Sequence, residues 1–239
     1  MVSDQPNPVE QYAADRLPFF RRAFLALGFN GISGDYAEFG CYTGTTFNLA
    51  FQEYSRSRKH LSFLDYQFDR KLWALDSFRG LPAQSAPEDE HPSWREGALA
   101  MSVDEFHAAC ARNAIPREAY QVVEGYYDRT LRVDDTSSRL PQDIALAYID
   151  CDLYSSIVTV FRYLAPRLKH GAIVALDDYF CFSAAQASGA RRAALEFFSS
   201  NRDWRLIPYV QYGWAGMSYI VESKAIVPDR LVSEMPGFI

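Results

Sequence analysis

Tyr36-Ala37-Glu38-Phe39-Gly40-Cys41-Tyr42-Thr43-Gly44-Thr45-Thr46 passes from a short apolar strand through a glycine turn into a helix. Its strand, residues 36–39, is too short and apolar for an amphipathic helix, and the helical pattern starts at Thr46 and reaches Tyr54. Outward from this unit the same alternation repeats. Residues 72–75, 120–123, 144–149 and 172–176 are further short apolar runs, each ending at a polar or glycine position. Strands apolar on both faces predict a parallel sheet covered by helices. Helical spacing lies between them at 103–113, 155–168 and 184–199, with Asp104 and Glu105 as acids in the first turn of one. Residues 204–210 and 217–221 have no helix between them and predict a closing antiparallel pair around Gly213. The fold expected is a doubly wound, Rossmann-like α/β sheet, mostly parallel, with a C-terminal antiparallel hairpin. A helical lead-in at residues 1–33 (helix from Pro8 to Leu27) precedes a single domain at 34–239. Residues 83–102 lack periodicity and are expected to form a long loop serving as a lid.

Composition excludes several classes of protein. The 239 residues are 49% hydrophobic and 23% charged, enough for a sizeable core. The formal net charge of -6, without a basic stretch, argues against a nucleic-acid partner. The four cysteines have no metal-binding spacing and read as reduced thiols. The polar start and the absence of a long apolar run predict a cytoplasmic protein with no membrane partner. Homo-oligomerisation is left open.

The turn of the opening stretch, E-x-G-x-x-x-G, differs from the dinucleotide fingerprint G-x-G-x-x-G. Gly40 and Gly44 allow close backbone approach to a ligand, and the helix start offers free N–H groups. Glu38 beside the turn would repel a pyrophosphate, yet it suits the methionine end of S-adenosylmethionine. Asp76, ending the second strand, can accept hydrogen bonds from ribose hydroxyls. The cofactor-binding set expected is Glu38, Gly40, Tyr42, Thr43, Gly44, Asp76 and Ser77, with Asp150 at a neighbouring strand end. The bland alternative is a tight turn, with Asp76 as a helix cap.

Four more carboxylates lie further on. Asp150 and Asp152 follow the fourth strand, and Asp177 and Asp178 follow the fifth. Adjacent parallel strands finish on one edge, so these acids converge. Their mutual repulsion is relieved by a hard cation with oxygen ligands, for which Mg2+ is the best fit and Mn2+ and Ca2+ are competitors. Caps and turns explain any one of these aspartates but not the set. The four histidines lack ligand spacing, and Tyr126, Tyr127, Tyr154 and Tyr179 are as readily packing as pocket residues.

At these residues the chain resembles the TylF-like macrocin/mycinamicin O-methyltransferases, which methylate sugar hydroxyls in antibiotic biosynthesis. The blocks are YAEFGCYTG at 36–44, LDSFRGLP at 75–82, EGYYDRTL at 124–131, IDCDLYSS at 149–156 and DDY at 177–179, in order. The resemblance implies a class I methyltransferase fold, a metal held by Asp150, Asp177 and Asp178, Asp152 as general base, and S-adenosylmethionine held by Glu38 and Asp76. It implies Mg2+-dependent methyl transfer to a hydroxyl of a small-molecule acceptor, a sugar or glycosylated natural product. A catechol-type O-methyltransferase acting on a vicinal diol, and a non-catalytic binding protein of the same fold, are the alternatives. Residues 83–96 and the tail after Val221 do not match the family, and acceptor specificity is expected there.

Overall fold

The structure, a computed structural model, describes residues 7–228; the tail at 229–239 lies outside them. Helix α1 (Pro8–Phe29) opens with a capping box. The Asn7 side chain accepts from the Val9 and Glu10 N–H groups, and Glu10 accepts in return from Asn7 N–H. Then come β1 (Asp35–Phe39), α2 (Thr45–His60), β2 (Leu72–Asp76), α3 (Val103–Arg112), β3 (Tyr120–Glu124) and α4 (Tyr127–Thr130). The second half holds β4 (Ile144–Ile149), α5 (Tyr154–Leu164), β5 (Ile173–Leu176), α6 (Gly189–Ser200), β6 (Trp204–Tyr212) and β7 (Gly216–Ser223).

The strands form one sheet of order β3-β2-β1-β4-β5-β7-β6. The β1–β2, β1–β4, β2–β3 and β4–β5 pairs are parallel, while β7 is antiparallel to both β5 and β6. The order reverses between β1 and β4, where helices on opposite faces diverge and leave a crevice above the strand ends.

Alternation along each strand builds two cores. On one face Tyr36 and Tyr148 meet the buried stripe of α1, where Phe20 lies 5.1 Å from Tyr148 and Phe19 stacks on Tyr212 at 4.5 Å. On the other, Ala37, Phe39, Ala147, Ile149, Val174 and Leu176 pack against Ile157, Val160 and Phe161 of α5 and Ala193 of α6. Among the described residues no helix is long and apolar enough to cross a membrane.

Three helix boundaries differ most from expectation, the first being the end of α2, which runs past Tyr54 to His60. The 155–168 segment leaves the α-helix at Leu164 and tightens into a 3-10 turn over Ala165–Arg167, where Pro166 cannot donate to the helical ladder. Helix α6 starts at Gly189 instead of 184. Ser188 Oγ accepts from Ser183 N–H at 2.7 Å, and Gly189 has φ 56°, so the preceding residues form a turn.

Candidate active site

The crevice at the sheet reversal holds the glycine turn on one side and the acid-bearing strand ends on the other. Gly40 N–H donates to Leu75 C=O at 2.9 Å, and Asp150 N–H donates to Phe39 C=O at 2.8 Å. This draws the loop after β1 against the loop after β4. A Cβ at Gly40, whose φ is 92°, would lie 1.9 Å from the Asp150 carbonyl oxygen, so only glycine fits. Asp76 braces the turn: Oδ2 accepts from Cys41 N–H at 2.6 Å, and Oδ1 accepts from Phe78 N–H at 2.8 Å.

A cavity of about 480 Å³ opens above these loops, within the usual range for a small-molecule site. Of the sequence-expected cofactor residues, Gly40, Tyr42, Asp76, Ser77 and Asp150 line it, and the proposed base Asp152 joins them. Glu38, Thr43 and Gly44 do not. The Glu38 carboxylate points into the core, accepting from Thr46 Oγ1 at 2.7 Å and from the Tyr36 hydroxyl. Burial pushes it up to about 8. Thr43 pairs with Thr45, and Gly44 forms the left-handed cap of α2 against Phe106. The cavity is also lined by Gly125, Tyr126, Tyr127, Asp128 and Arg129, of which the sequence offers only Tyr126 and Tyr127, as packing or pocket residues. Ala83, Ser85, Glu96 and Leu99 form a further wall.

This last wall is fastened in two places. Asp89 is fully buried; its Oδ2 accepts from the Ser85 and Ala86 N–H groups at 2.9 and 3.0 Å. Its Oδ1 accepts from Ser155 N–H at 2.8 Å, in the first turn of α5, whose own N-cap Leu153 has no capping side chain. Trp94 packs with Leu81, Leu153, Cys181 and Ala215, and His91 stacks on it at 4.0 Å.

The acids meet as the strand ends dictate. Oxygens of Asp150, Asp177 and Asp178 lie within 4.8 Å of one another. Burial, then Asp177 and Asp178, raise Asp150 well above the carboxylate range. Burial, then Asp152 and Asp177, raise Asp178. Burial and Asp150 push Asp152 up to about 7. Asp152 has φ 60°, in a tight turn closed by Leu153 N–H to Cys151 C=O at 2.6 Å. Asp178 Oδ2 is buried with no hydrogen-bond donor. An oxygen-only donor set, an orphaned carboxylate oxygen and mutual repulsion together fit a divalent cation.

Two residues of α1 absent from the sequence reading also belong here. Arg16 donates from Nε to Asp177 Oδ1 at 2.8 Å and from Nη2 to Oδ2 at 2.5 Å, and Tyr148 donates to the same carboxylate. Tyr12 Oη lies 3.0 Å from both Asp150 Oδ2 and Asp177 Oδ2. The single Tyr12 hydroxyl proton can serve only one of the two carboxylates at a time. A faint signal existed: Arg16 falls on the otherwise apolar stripe of Phe19, Phe20, Ala23, Phe24 and Leu27.

Comparison with known proteins agrees with this architecture. The chain is 27% identical over 172 residues to the 8-demethyl-8-(2,3-dimethoxy-alpha-L-rhamnosyl)-tetracenomycin-C 4'-O-methyltransferase of Streptomyces olivaceus, covering 69% of this chain and 59% of that protein. It is 28% identical over 158 residues to the demethyldecarbamoylnovobiocin O-methyltransferase of Streptomyces niveus, covering 63% and 54%. The matched region thus spans somewhat more than half the length of each relative. Among solved structures, the O-methyltransferase NovP superposes with a TM-score of 0.68 at 24% identity, covering 86% of this chain and 79% of that one. The calicheamicin methyltransferase CalS11 gives 0.61 at 20% identity, covering 91% and 87%. The sheet is that of the class I methyltransferases. The family model described as Macrocin-O-methyltransferase (TylF) matches residues 5–202, which include every carboxylate of the acid cluster, and the chain belongs to that family.

Proposed function

We propose that this protein is an S-adenosylmethionine-dependent, Mg2+-dependent O-methyltransferase acting on a hydroxyl of a sugar or glycosylated natural product. The observation that carries the reading is the double membership of Asp150. It lines the cavity beside the Gly40 turn and also belongs to the three-carboxylate group with Asp177 and Asp178. A methyl donor gripped by the turn and an acceptor hydroxyl held at the acids would therefore be neighbours, which is what an in-line displacement needs. The relatives named above as acting on rhamnosyl-tetracenomycin and novobiocin precursors support a glycosylated acceptor.

In this reading Asp150, Asp177 and Asp178 hold the cation. When bound, the cation lowers the pKa of the acceptor hydroxyl. Asp152, pushed up to about 7, is well matched to take a proton near neutrality. From a left-handed backbone position it lines the same cavity as Asp150. Residues 83–102 serve as a lid over the acceptor, hinged on the Asp89 and Trp94 anchors.

The test is methyl transfer to a panel of glycosides and catechols, with S-adenosylmethionine, after EDTA treatment and after Mg2+ is restored. Loss and recovery of activity on glycosides is expected, with cofactor binding by calorimetry intact throughout. Full activity in EDTA would refute the metal assignment, and turnover of catechols alone would refute the acceptor.

A further inference from the structure

The first turns of α1 reach the acid cluster, and nothing in the proposed chemistry accounts for them. Tyr12 Oη stands 3.0 Å from one oxygen of Asp150 and 3.0 Å from one of Asp177. Four residues on, Arg16 lies over the Tyr12 ring with its guanidinium carbon 3.3 Å from the centroid, and its fork holds both oxygens of Asp177. Arg16 is only 7% exposed. Nη1 of the same guanidinium donates to the Tyr12 carbonyl at 3.2 Å, tying the pair together.

An octahedral Mg2+ with oxygens at about 2.1 Å sets neighbouring ligand oxygens about 3 Å apart. The three carboxylates lie within 4.8 Å of one another, so they would have to draw together to hold one. What stands against Asp150 and Asp177 is the tyrosine hydroxyl. It gives these carboxylates a donor where a cation would otherwise give them charge.

We propose that Tyr12 and Arg16 are positioning residues of the metal centre. The Tyr12 hydroxyl keeps the place between Asp150 and Asp177 and gives way when a divalent cation binds, while Arg16 holds Asp177 in a single orientation throughout. This rests on the reading that the cluster binds such a cation. Arg16 fits its part by chemistry: a permanently charged, planar fork fixes a carboxylate bidentately, which lysine cannot do.

The experiment is Mn2+ binding to the full chain, followed by the electron paramagnetic resonance signal of the free ion, without methyl donor or acceptor. Circular dichroism and melting temperature are recorded alongside. Tyr12→Phe removes the competing hydroxyl and leaves the ring under Arg16. We expect it to melt lower without metal and to bind Mn2+ at least about fivefold tighter, with about a hundredfold as the ceiling for one hydrogen bond to a charged group. A merely structural tyrosine would lower the melting temperature without tightening the metal. Arg16→Lys keeps the charge and gives up the fork, and should weaken Mn2+ by about threefold or more. Equal or weaker binding by Tyr12→Phe overturns the role of the hydroxyl, and unchanged binding by Arg16→Lys overturns that of the fork. Wild-type protein that binds no Mn2+ refutes the metal reading itself and this inference with it, a result distinct from binding that the variants leave unmoved.

Discussion

Asp89→Ala tests whether the wall of the cavity is held by one buried carboxylate. Asp89 accepts from three backbone N–H groups, those of Ser85, Ala86 and Ser155. Removing it leaves the first turn of α5 without a cap, at about 0.5–2 kcal/mol. Two further N–H groups lose an anionic acceptor, at about 1 kcal/mol or more each. The total is about 2–4 kcal/mol if the segment stays seated. It need not stay seated, because a loop that detaches recovers water for its N–H groups. The loss should therefore surface as local opening of residues 83–102. Hydrogen exchange there and at the start of α5 should quicken by about thirtyfold, the equivalent of roughly 2 kcal/mol, and trypsin should cut at Arg95. The global melting temperature should fall by less than the same energy would give if shared by the whole fold. Asp89→Asn, which keeps one acceptor oxygen, should fall between. Unchanged exchange at 83–102 with a large global loss would refute the reasoning and make Asp89 an ordinary core residue.

Other outcomes follow from the site. Asp152→Asn should cut turnover by roughly 10²–10⁴-fold while Mn2+ still binds, and the acid limb of wild-type kcat/KM should vanish with it. Glu38 and Asp152 are raised from ordinary values of 4.5 and 3.8 to about 8 and about 7, so between roughly pH 4 and 8 the folded protein holds more protons than the unfolded chain. Stability of the metal-free protein, measured by urea unfolding, should thus be greatest near pH 4–5 and decline toward pH 8, and Glu38→Gln should flatten that decline. S-adenosylhomocysteine should raise the melting temperature of wild-type protein, and Asp76→Ala should shrink the shift.

The strands were legible because each is apolar on both faces, and that pattern has few other uses. The hairpin was legible because residues 204–221 offer no helix to cross over. Helix ends were less so. Residues 184–188 look helical by composition, yet Ser188 takes a local backbone partner and Gly189 turns left-handed, which are competitions between neighbours that periodicity does not register. At the site, Asp150, Asp152, Asp177 and Asp178 could be placed together because parallel strands share an edge. Tyr12, Arg16 and Asp89 could not, since the partners that bring them there, Asp150, Asp177 and Ser155, lie 66 to 165 positions away and no repeat or spacing links them. The inward turn of Glu38 escaped for a related reason: strand alternation gives the side of the sheet, not whether a carboxylate faces a ligand or a threonine.

The contact between Gly40 and the Asp150 carbonyl fixes a gauge. With a side chain's Cβ landing 1.9 Å from that oxygen, the end of β1 and the end of β4 cannot be spread or slid without losing the contact altogether. On the proposed function, the part that would grip a donor and the part that would hold an acceptor are one machined edge, set at a single spacing. A descendant adapting to a bulkier acceptor has no freedom to widen that edge. Its room for change lies in the pieces bolted on around it, the 83–102 wall and the turn before α6, so diversification should accumulate there while the edge keeps its dimensions.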